Sequence, residues 1–376
     1  MIYFDNAAAS YPKPSSVLAA AFFAMKKYSF NSGRGGYKES IKAGEMIYSV
    51  REKVASMFGF EPQNVAFTKN CTEALNMAIK GSVKSGDHII ISSLEHNSVS
   101  RVVEKLFDDG VIDYDIAKYS YDDDETVKNF ESLIKPNTTL AVCMHSSNAF
   151  GVSFPIAKIG KMCKSHEIRF VVDGAQGAGV TDINAKRDNI DILCAPGHKC
   201  LLGTMGTAFI AVGEGLELST FEEGGTGSNS LSLKQPDFMP DRLESGTLNN
   251  SGIASLGKGI DYISSYGTNA VYDHELSLAS YTYSALENIP DVIFYTPLPE
   301  KGRAMPIVSF NFGDYSSEKV AAVLAENGIC TRGGFHCSPL AHRHFGTVDR
   351  GAVRVSFGMF NTYRECDALV NVVKKL

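Results

Sequence analysis

Over roughly its first 215 residues the chain alternates short β-branched runs with amphipathic, helix-like stretches, and no other feature constrains its fold so strongly. The strand candidates are Asn64–Thr68, His88–Ser92, Thr139–His145, Ile168–Asp173, Ile190–Cys194 and Thr207–Val212. Between them lie the helix candidates Ser40–Phe58, Thr72–Lys80, Val99–Phe107 and Ile156–His166. Several strands are apolar throughout, as expected when helices cover both faces of a sheet. The pattern predicts a three-layer α/β/α domain.

Residues 213–250 break this rhythm with Gly224-Gly225-Thr226-Gly227-Ser228 and few apolar side chains. A loop that long inside a compact domain is usually functional. A helix is expected from about Ser251 to Ser265, followed by a smaller α+β unit with strands near Ile307–Phe312 and Ala352–Phe357. A length of 376 residues suits two such domains.

Composition removes several function classes. The net charge of −6 argues against a general nucleic-acid binder. The longest apolar runs fall far short of the roughly 20 residues a membrane helix needs. Eight scattered cysteines, without CxxC spacing or a visible export signal, are expected to be reduced thiols in a cytoplasmic protein. Neither G-x-G-x-x-G nor a P-loop occurs. Gly81 and Gly86 have the P-loop spacing, but Asp87 and His88 stand where Lys and Ser/Thr should follow.

Three segments carry chemistry. In Phe67-Thr68-Lys69-Asn70-Cys71-Thr72-Glu73 a strand gives way to a helix, with Asn70 and Glu73 at capping-box spacing. The exposed N–H groups and the Thr72 hydroxyl suit a phosphate, although a plain capped helix reads the same way. Phe170-Val171-Val172-Asp173 delivers an acid at a strand's carboxyl end, where open α/β sheets bind ligands or where Asp caps a helix. Ala195-Pro196-Gly197-His198-Lys199-Cys200 places a lysine after a strand, either as a site residue or as a surface lysine. Taken together they describe a pyridoxal 5′-phosphate site. The lysine bonds the cofactor's aldehyde, the acid keeps the ring nitrogen protonated so the ring can accept electrons, and the helix terminus anchors the phosphate.

These segments, with Tyr3-Phe4-Asp5-Asn6-Ala7-Ala8 and Phe357-Gly358-Met359-Phe360-Asn361-Thr362 near the two ends, resemble the class V aminotransferase family, in its cysteine desulfurase and selenocysteine lyase branch. The resemblance implies the type I fold of pyridoxal-phosphate-dependent transferases. It implies a large cofactor-binding domain over residues 15–262 and a smaller one from residues 1–14 and 263–376. It places the cofactor on Lys199, its ring nitrogen on Asp173 and a ring-oxygen contact on Gln176, with His96 stacked on the ring. Thr72 and His198 would hold the phosphate, Cys71 would also contact the cofactor, and Asn148 would sit beside the lysine linkage. Thr247 would reach the phosphate of a second subunit, implying a homodimer. Arg354 would bind the substrate carboxylate, a contact suited to arginine's planar fork, and Arg34 would lie near the substrate. Pro196 departs from the pattern: many relatives carry a phosphate-binding serine there, and Thr72 or groups near Ser228 would have to compensate.

Thr331-Arg332-Gly333-Gly334-Phe335-His336-Cys337-Ser338-Pro339-Leu340 resembles the stretch that carries the sulfur-accepting cysteine of one desulfurase group. The activity so implied converts L-cysteine to L-alanine and leaves a persulfide on Cys337, which an acceptor protein or thiol then relieves. His336, or a positive pocket, would raise the thiolate fraction of Cys337. L-Selenocysteine is an alternative substrate, and aminotransferase, epimerase or β-lyase chemistry or a sulfur-carrying scaffold role stays open. His336, Cys337, His342 and His344, the last two at strand i, i+2 spacing, are residue types zinc accepts, but they match no common zinc signature and no metal is expected.

Overall fold

The apolar runs become the centre of a seven-stranded sheet in a computed structural model that describes residues 1–32 and 35–376. In chain order the elements begin β1 (Ile2–Tyr3), α1 (Ser15–Lys27), α2 (Lys38–Phe58), β2 (Val65–Thr68), α3 (Cys71–Ser82), β3 (Asp87–Ser92) and α4 (Asn97–Asp108). They continue β4 (Ile112–Ala117), α5 (Asp123–Glu131), β5 (Thr138–Met144), α6 (Ile156–Ser165), β6 (Arg169–Asp173), α7 (Ala185–Asp188), β7 (Ile192–Pro196) and β8 (Ala208–Val212). The rest are α8 (Asn250–Tyr266), α9 (Thr268–Glu287), β9 (Val292–Phe294), β10 (Ile307–Phe312), α10 (Ser317–Glu326), β11 (Ile329–Cys330), α11 (Pro339–His344), β12 (Val353–Ser356) and α12 (Tyr363–Val373).

The large sheet runs β2-β8-β7-β6-β5-β3-β4, and only β8 is antiparallel to its neighbours. The carboxyl ends of β2, β3, β5, β6 and β7 therefore share one edge, the edge at which open α/β sheets bind ligands. Every residue of β2, β6 from Phe170 on, β7 and β8 is buried, which explains their unbroken apolar sequence. One face packs on α2, α6 and α8 through Val54, Phe58, Ile159, Leu256 and Ile260. The other packs on α3 and α4 through Leu75, Ile79, Val99 and Val103.

The expected strands of this sheet lie within two residues of the observed ones. Several elements lacked a sequence signal, β4 and α5 among them. β4 is an edge strand reading Ile-Asp-Tyr-Asp-Ile-Ala, and α5 is polar apart from Val127 and Phe130. Residues 213–249 contain no helix or strand.

The second unit is a three-stranded antiparallel sheet, β12-β10-β9, packed against α9, α10 and α12 around Leu278, Phe310, Leu324 and Leu369. The amino terminus joins it: Ile2 and Tyr3 pair in parallel with Ile329 and Cys330, and Asn6 Nδ2 donates to the Ser356 carbonyl at 3.1 Å. Among the described residues no helix is long and apolar enough to cross a membrane.

Candidate active site

The residue types expected to act together converge on a cavity of about 240 Å³ at the carboxyl edge of the large sheet. Asp173 ends β6 there. Its Oδ1 accepts from the Ala175 N–H at 2.9 Å and from the Cys71 thiol at 3.8 Å. Burial raises the Asp173 pKa, with the Ala175 N–H and the Lys199 charge opposing it. Burial and the Asp173 charge also push the Cys71 thiol far up, so Cys71 acts as a neutral donor.

Lys199 follows β7 in a turn strapped from outside by the amino-terminal segment. Ser10 Oγ donates to the Lys199 carbonyl at 2.8 Å, and Lys13 Nζ donates to the His198 carbonyl at 2.7 Å. Burial lowers the Lys199 pKa against the pull of Asp173, favouring the nucleophilic free amine. His198 is held neutral, at about 4, by burial and by Lys199 and Lys13, and its Nδ1 is buried without a partner among the described residues.

His96 caps α4. Its Nδ1 accepts from the Ser98 N–H at 3.1 Å, which leaves the ring proton on Nε2. Burial, then the charges of Lys199 and Arg332, lower its pKa to about 4, so the ring is neutral at physiological pH. Beside it stands Glu95, which the sequence did not single out. Fully buried, it accepts from Ser92 Oγ at 2.6 Å and from the Met144 N–H at 2.8 Å, tying the turn after β3 to the end of β5. Burial raises its pKa to about 8, so it carries a proton at neutral pH.

The Cys337 loop enters from the smaller unit. Gly334 has φ +105°, and His336 and Cys337 follow at +52° and +56°, a left-handed pair that side chains rarely adopt. The loop is held by cross-links. Asn148 Nδ2 donates to the His336 carbonyl at 2.8 Å, Ser338 Oγ donates to Asn148 Oδ1 at 2.7 Å, and the Asn97 N–H donates to the Cys337 carbonyl at 2.8 Å. The Cys337 side chain is left exposed on the cavity wall.

His336 does not assist it as expected. Its buried ring donates to the Ala352 carbonyl at 3.1 Å, and burial drives its pKa to about 2, so it braces the loop and supplies no positive charge. Arg332, Arg354 and the Lys199 amine are the strongly basic groups lining the cavity. His342 and His344 sit in α11, not on a strand, and no metal-binding group of His, Cys, Asp or Glu occurs among the described residues.

Arg354, on β12, is 2% exposed. Its Nη2 donates to Asp5 at 2.5 Å and its Nη1 to the Asn148 carbonyl at 2.8 Å, while Nε is buried without a partner among the described residues. Asp5, the second residue not anticipated, is the counter-charge that makes such a buried guanidinium tolerable. The guanidinium is thus fixed at two of its three nitrogens.

Gln176 and Thr72 also line the cavity; Gln176 Nε2 donates to the Ala7 carbonyl at 3.1 Å. Asn70 caps α3 by accepting the Glu73 N–H, but Glu73 reaches back to the Lys69 N–H, one residue short of a reciprocal box. Pro196 lines the cavity without a donor, and Ser228 does not replace it, since its hydroxyl bonds Asp241. Thr247 lies in a separate cleft with Thr68, Lys69 and Glu73. Arg34 lies outside the described residues. A wider depression of about 810 Å³ opens at the opposite, amino edge of the sheet around Asp87, Thr138 and Arg169, and its lining holds neither histidine nor cysteine.

The cavity fits pyridoxal 5′-phosphate by its donor set. An amine disposed to be neutral, a buried carboxylate short of charge compensation, an orphan imidazole nitrogen and the free N–H groups opening α3 lie in one enclosure.

Residues 2–369 match the model of the family described as aminotransferase class V. The chain is 29% identical to a probable cysteine desulfurase of Methanothermobacter thermautotrophicus, covering 100% of this chain and 94% of that protein. It is 29% identical to a cysteine desulfurase of Escherichia coli, covering 100% and 93%. Among solved structures, an apo cysteine desulfurase from Thermococcus onnurineus superposes with a TM-score of 0.88 at 29% identity, covering 100% of this chain and 94% of that one.

Proposed function

The chain belongs to the class V aminotransferase family, and from that premise we propose that it is a pyridoxal-phosphate-dependent cysteine desulfurase, converting L-cysteine to L-alanine with the sulfur captured on Cys337. The observation that carries this reading is one cavity in which Lys199 and Asp173 face an exposed cysteine, Cys337, with a carboxylate-seeking arginine, Arg354, on the same wall. When bound, pyridoxal 5′-phosphate supplies an electron sink adjoining the substrate's α-carbon.

Each residue then has a task its surroundings support. Lys199 anchors the cofactor and moves the α-proton at Nζ, for which a lowered pKa is the suitable state. Asp173 holds a proton on the ring nitrogen, and that neighbouring positive charge returns its own pKa toward the ordinary range. The neutral His96 lies against the ring, Gln176 contacts the ring oxygen, and the α3 amino terminus with Cys71, Thr72 and His198 receives the phosphate. Arg354 receives the substrate carboxylate while Asp5 keeps the guanidinium oriented. Cys337, as thiolate, forms a bond to the substrate sulfur. The Cβ–S bond breaks with its electron pair left on carbon, which takes a proton and yields alanine.

Large apolar side chains exposed on α1 (Leu18, Phe22, Phe23, Met25) and at Leu231 and Leu233 support a homodimer, with Thr247 turned toward the second subunit's site. The eight free thiols suit a reducing, cytoplasmic compartment.

The test is a reaction of the pyridoxal-phosphate-loaded protein with L-cysteine and dithiothreitol, assayed for alanine and sulfide together. The parent releases both in equal amounts. Cys337→Ala keeps its bound cofactor, read as visible absorbance, and loses sulfide release about 100-fold, equivalent to about 2.7 kcal/mol of barrier. Undiminished sulfide from the variant, or alanine from L-selenocysteine and none from L-cysteine, defeats the assignment.

A further inference from the structure

We propose that the sulfur on Cys337 is handed to an acidic protein segment that docks in the groove between α3 and α4, an inference that rests on the reading of Cys337 as the sulfur-bearing thiol. The groove encloses about 440 Å³, with Cys337 at its head. Asn76 and Lys80 line one wall, and Arg101 and Lys105 the other. These residues recur every four positions, so each set runs along one helix face.

Three observations give the groove its character. Its basic side chains point outward, Lys80 and Arg101 both being exposed, and no carboxylate lines it. Lys80 lies 5.3 Å from the Phe221 ring, Lys105 pairs with Asp109 just past the end of its helix, and no ion pair engages Arg101 among the described residues. Second, α3 and α4 follow the parallel strands β2 and β3, so both amino ends, the positive ends of their dipoles, meet at the Cys337 end. Third, this positive strip stands on a chain whose net charge is −6, so it selects by local field and not by overall charge.

The length of the groove favours a polymer over a small thiol. From Thr72 to Lys80, and from Asn97 to Lys105, each helix advances about 12 Å. A free thiol attacking at Cys337 touches only the head. An extended peptide, at about 3.3 Å per residue, needs only four residues to carry carboxylates to Lys80 and Lys105 while its cysteine stays at Cys337.

The transfer needs no outside oxidant or reductant. The acceptor's thiolate attacks the outer sulfur of the Cys337 persulfide, a new S–S bond forms, and the bond to Cys337 Sγ breaks. The acceptor leaves as a persulfide and Cys337 is restored as a thiolate.

The experiment loads the full chain with pyridoxal 5′-phosphate and L-cysteine and offers two synthetic peptides of equal length with one cysteine each. Glutamates flank the cysteine in one and lysines in the other, and mass spectrometry follows peptide persulfide. At low salt the acidic peptide is expected to accept about tenfold faster, and the advantage to shrink at high salt. The variant Lys80→Glu/Arg101→Glu/Lys105→Glu reverses the preference and leaves dithiothreitol-driven sulfide release unchanged. Equal acceptance by both peptides at low salt, or an acidic preference that survives the reversal, overturns the groove assignment while sulfide release continues. Absence of sulfide with dithiothreitol in the parent overturns the desulfurase reading itself.

Discussion

The strand-end region around Lys199 and the loop around Cys337 face the same cavity, yet they are built on opposite principles. The first stands at the buried carboxyl ends of parallel strands, and its titratable groups have burial as the first cause of their shifts. The second is a left-handed turn from the other unit, fixed by three hydrogen bonds to Asn148 and Asn97. Moving protons at carbon calls for groups with shifted pKa values in a dry, rigid place. Handing on sulfur calls for a thiol that a second molecule can reach. On the proposed reading, the difference teaches that one cavity can serve both by taking its walls from two units.

The largest effect that would break this comparison is a loss of function confined to the strand-end side. Lys199→Ala is expected to cut alanine formation from L-cysteine by about 10⁴-fold, with or without an intact Cys337. Borohydride reduction of the loaded parent should place the label on Lys199 by peptide mapping. A labelled peptide elsewhere would dissolve the distinction between the two regions.

Next in size is the arginine bridging them. Arg354→Lys cannot reproduce the fork between Asp5, the Asn148 carbonyl and an incoming carboxylate. KM for L-cysteine is expected to rise about 10- to 100-fold while the bound-cofactor spectrum is kept. Unchanged KM would remove Arg354 from substrate binding.

A pH experiment sharpens the contrast. Glu95 belongs only to the strand-end side, and its folded pKa of about 8 lies above the unfolded value of 4.5. The folded chain thus keeps a proton that the unfolded chain releases, so stability falls as pH rises through the window from about 4.5 to 8. Glu95→Gln keeps acceptors for Ser92 and the Met144 N–H and removes that loss. Its Tm should equal the parent's at pH 5 and exceed it by roughly 5 °C at pH 9. A Tm gap that does not change with pH would contradict the protonated carboxyl.

The smallest effect tests the loop. Ser338→Ala removes the 2.7 Å bond to Asn148, worth about 1 kcal/mol. Hydrogen exchange at residues 334–338 should quicken, and sulfide release should fall a few-fold, with no change in cofactor absorbance. Slower exchange, or a changed absorbance, would mean the two regions are not separately held.

Much of this was legible beforehand, for reasons that differ by residue. The strands of the large sheet were visible because burial on both faces demands unbroken apolar runs. Asp173 was visible because it ends such a run, and Lys199 because it stands in the turn that follows one. β4 was hidden because an edge strand facing solvent tolerates Asp113 and Asp115. Glu95 was hidden because an acid before a helix reads as a cap until the Met144 N–H is seen beside it. His336 was misread as a helper of Cys337, since adjacency in sequence does not say which way a ring turns in a left-handed backbone.

The sequence by itself determined which chemical groups stand at the ends of which strands, because secondary structure and its termini follow from local periodicity. Only the tertiary structure decided what those groups bind. Asp5 meets Arg354 across 349 positions, and Asn148 meets His336 and Ser338 across 188 and 190. Such pairs leave no local pattern; they exist because packing the amino terminus against β12 and β11, and the Cys337 loop against the turn after β5, removes water from them, and the charges and amides left behind must find one another.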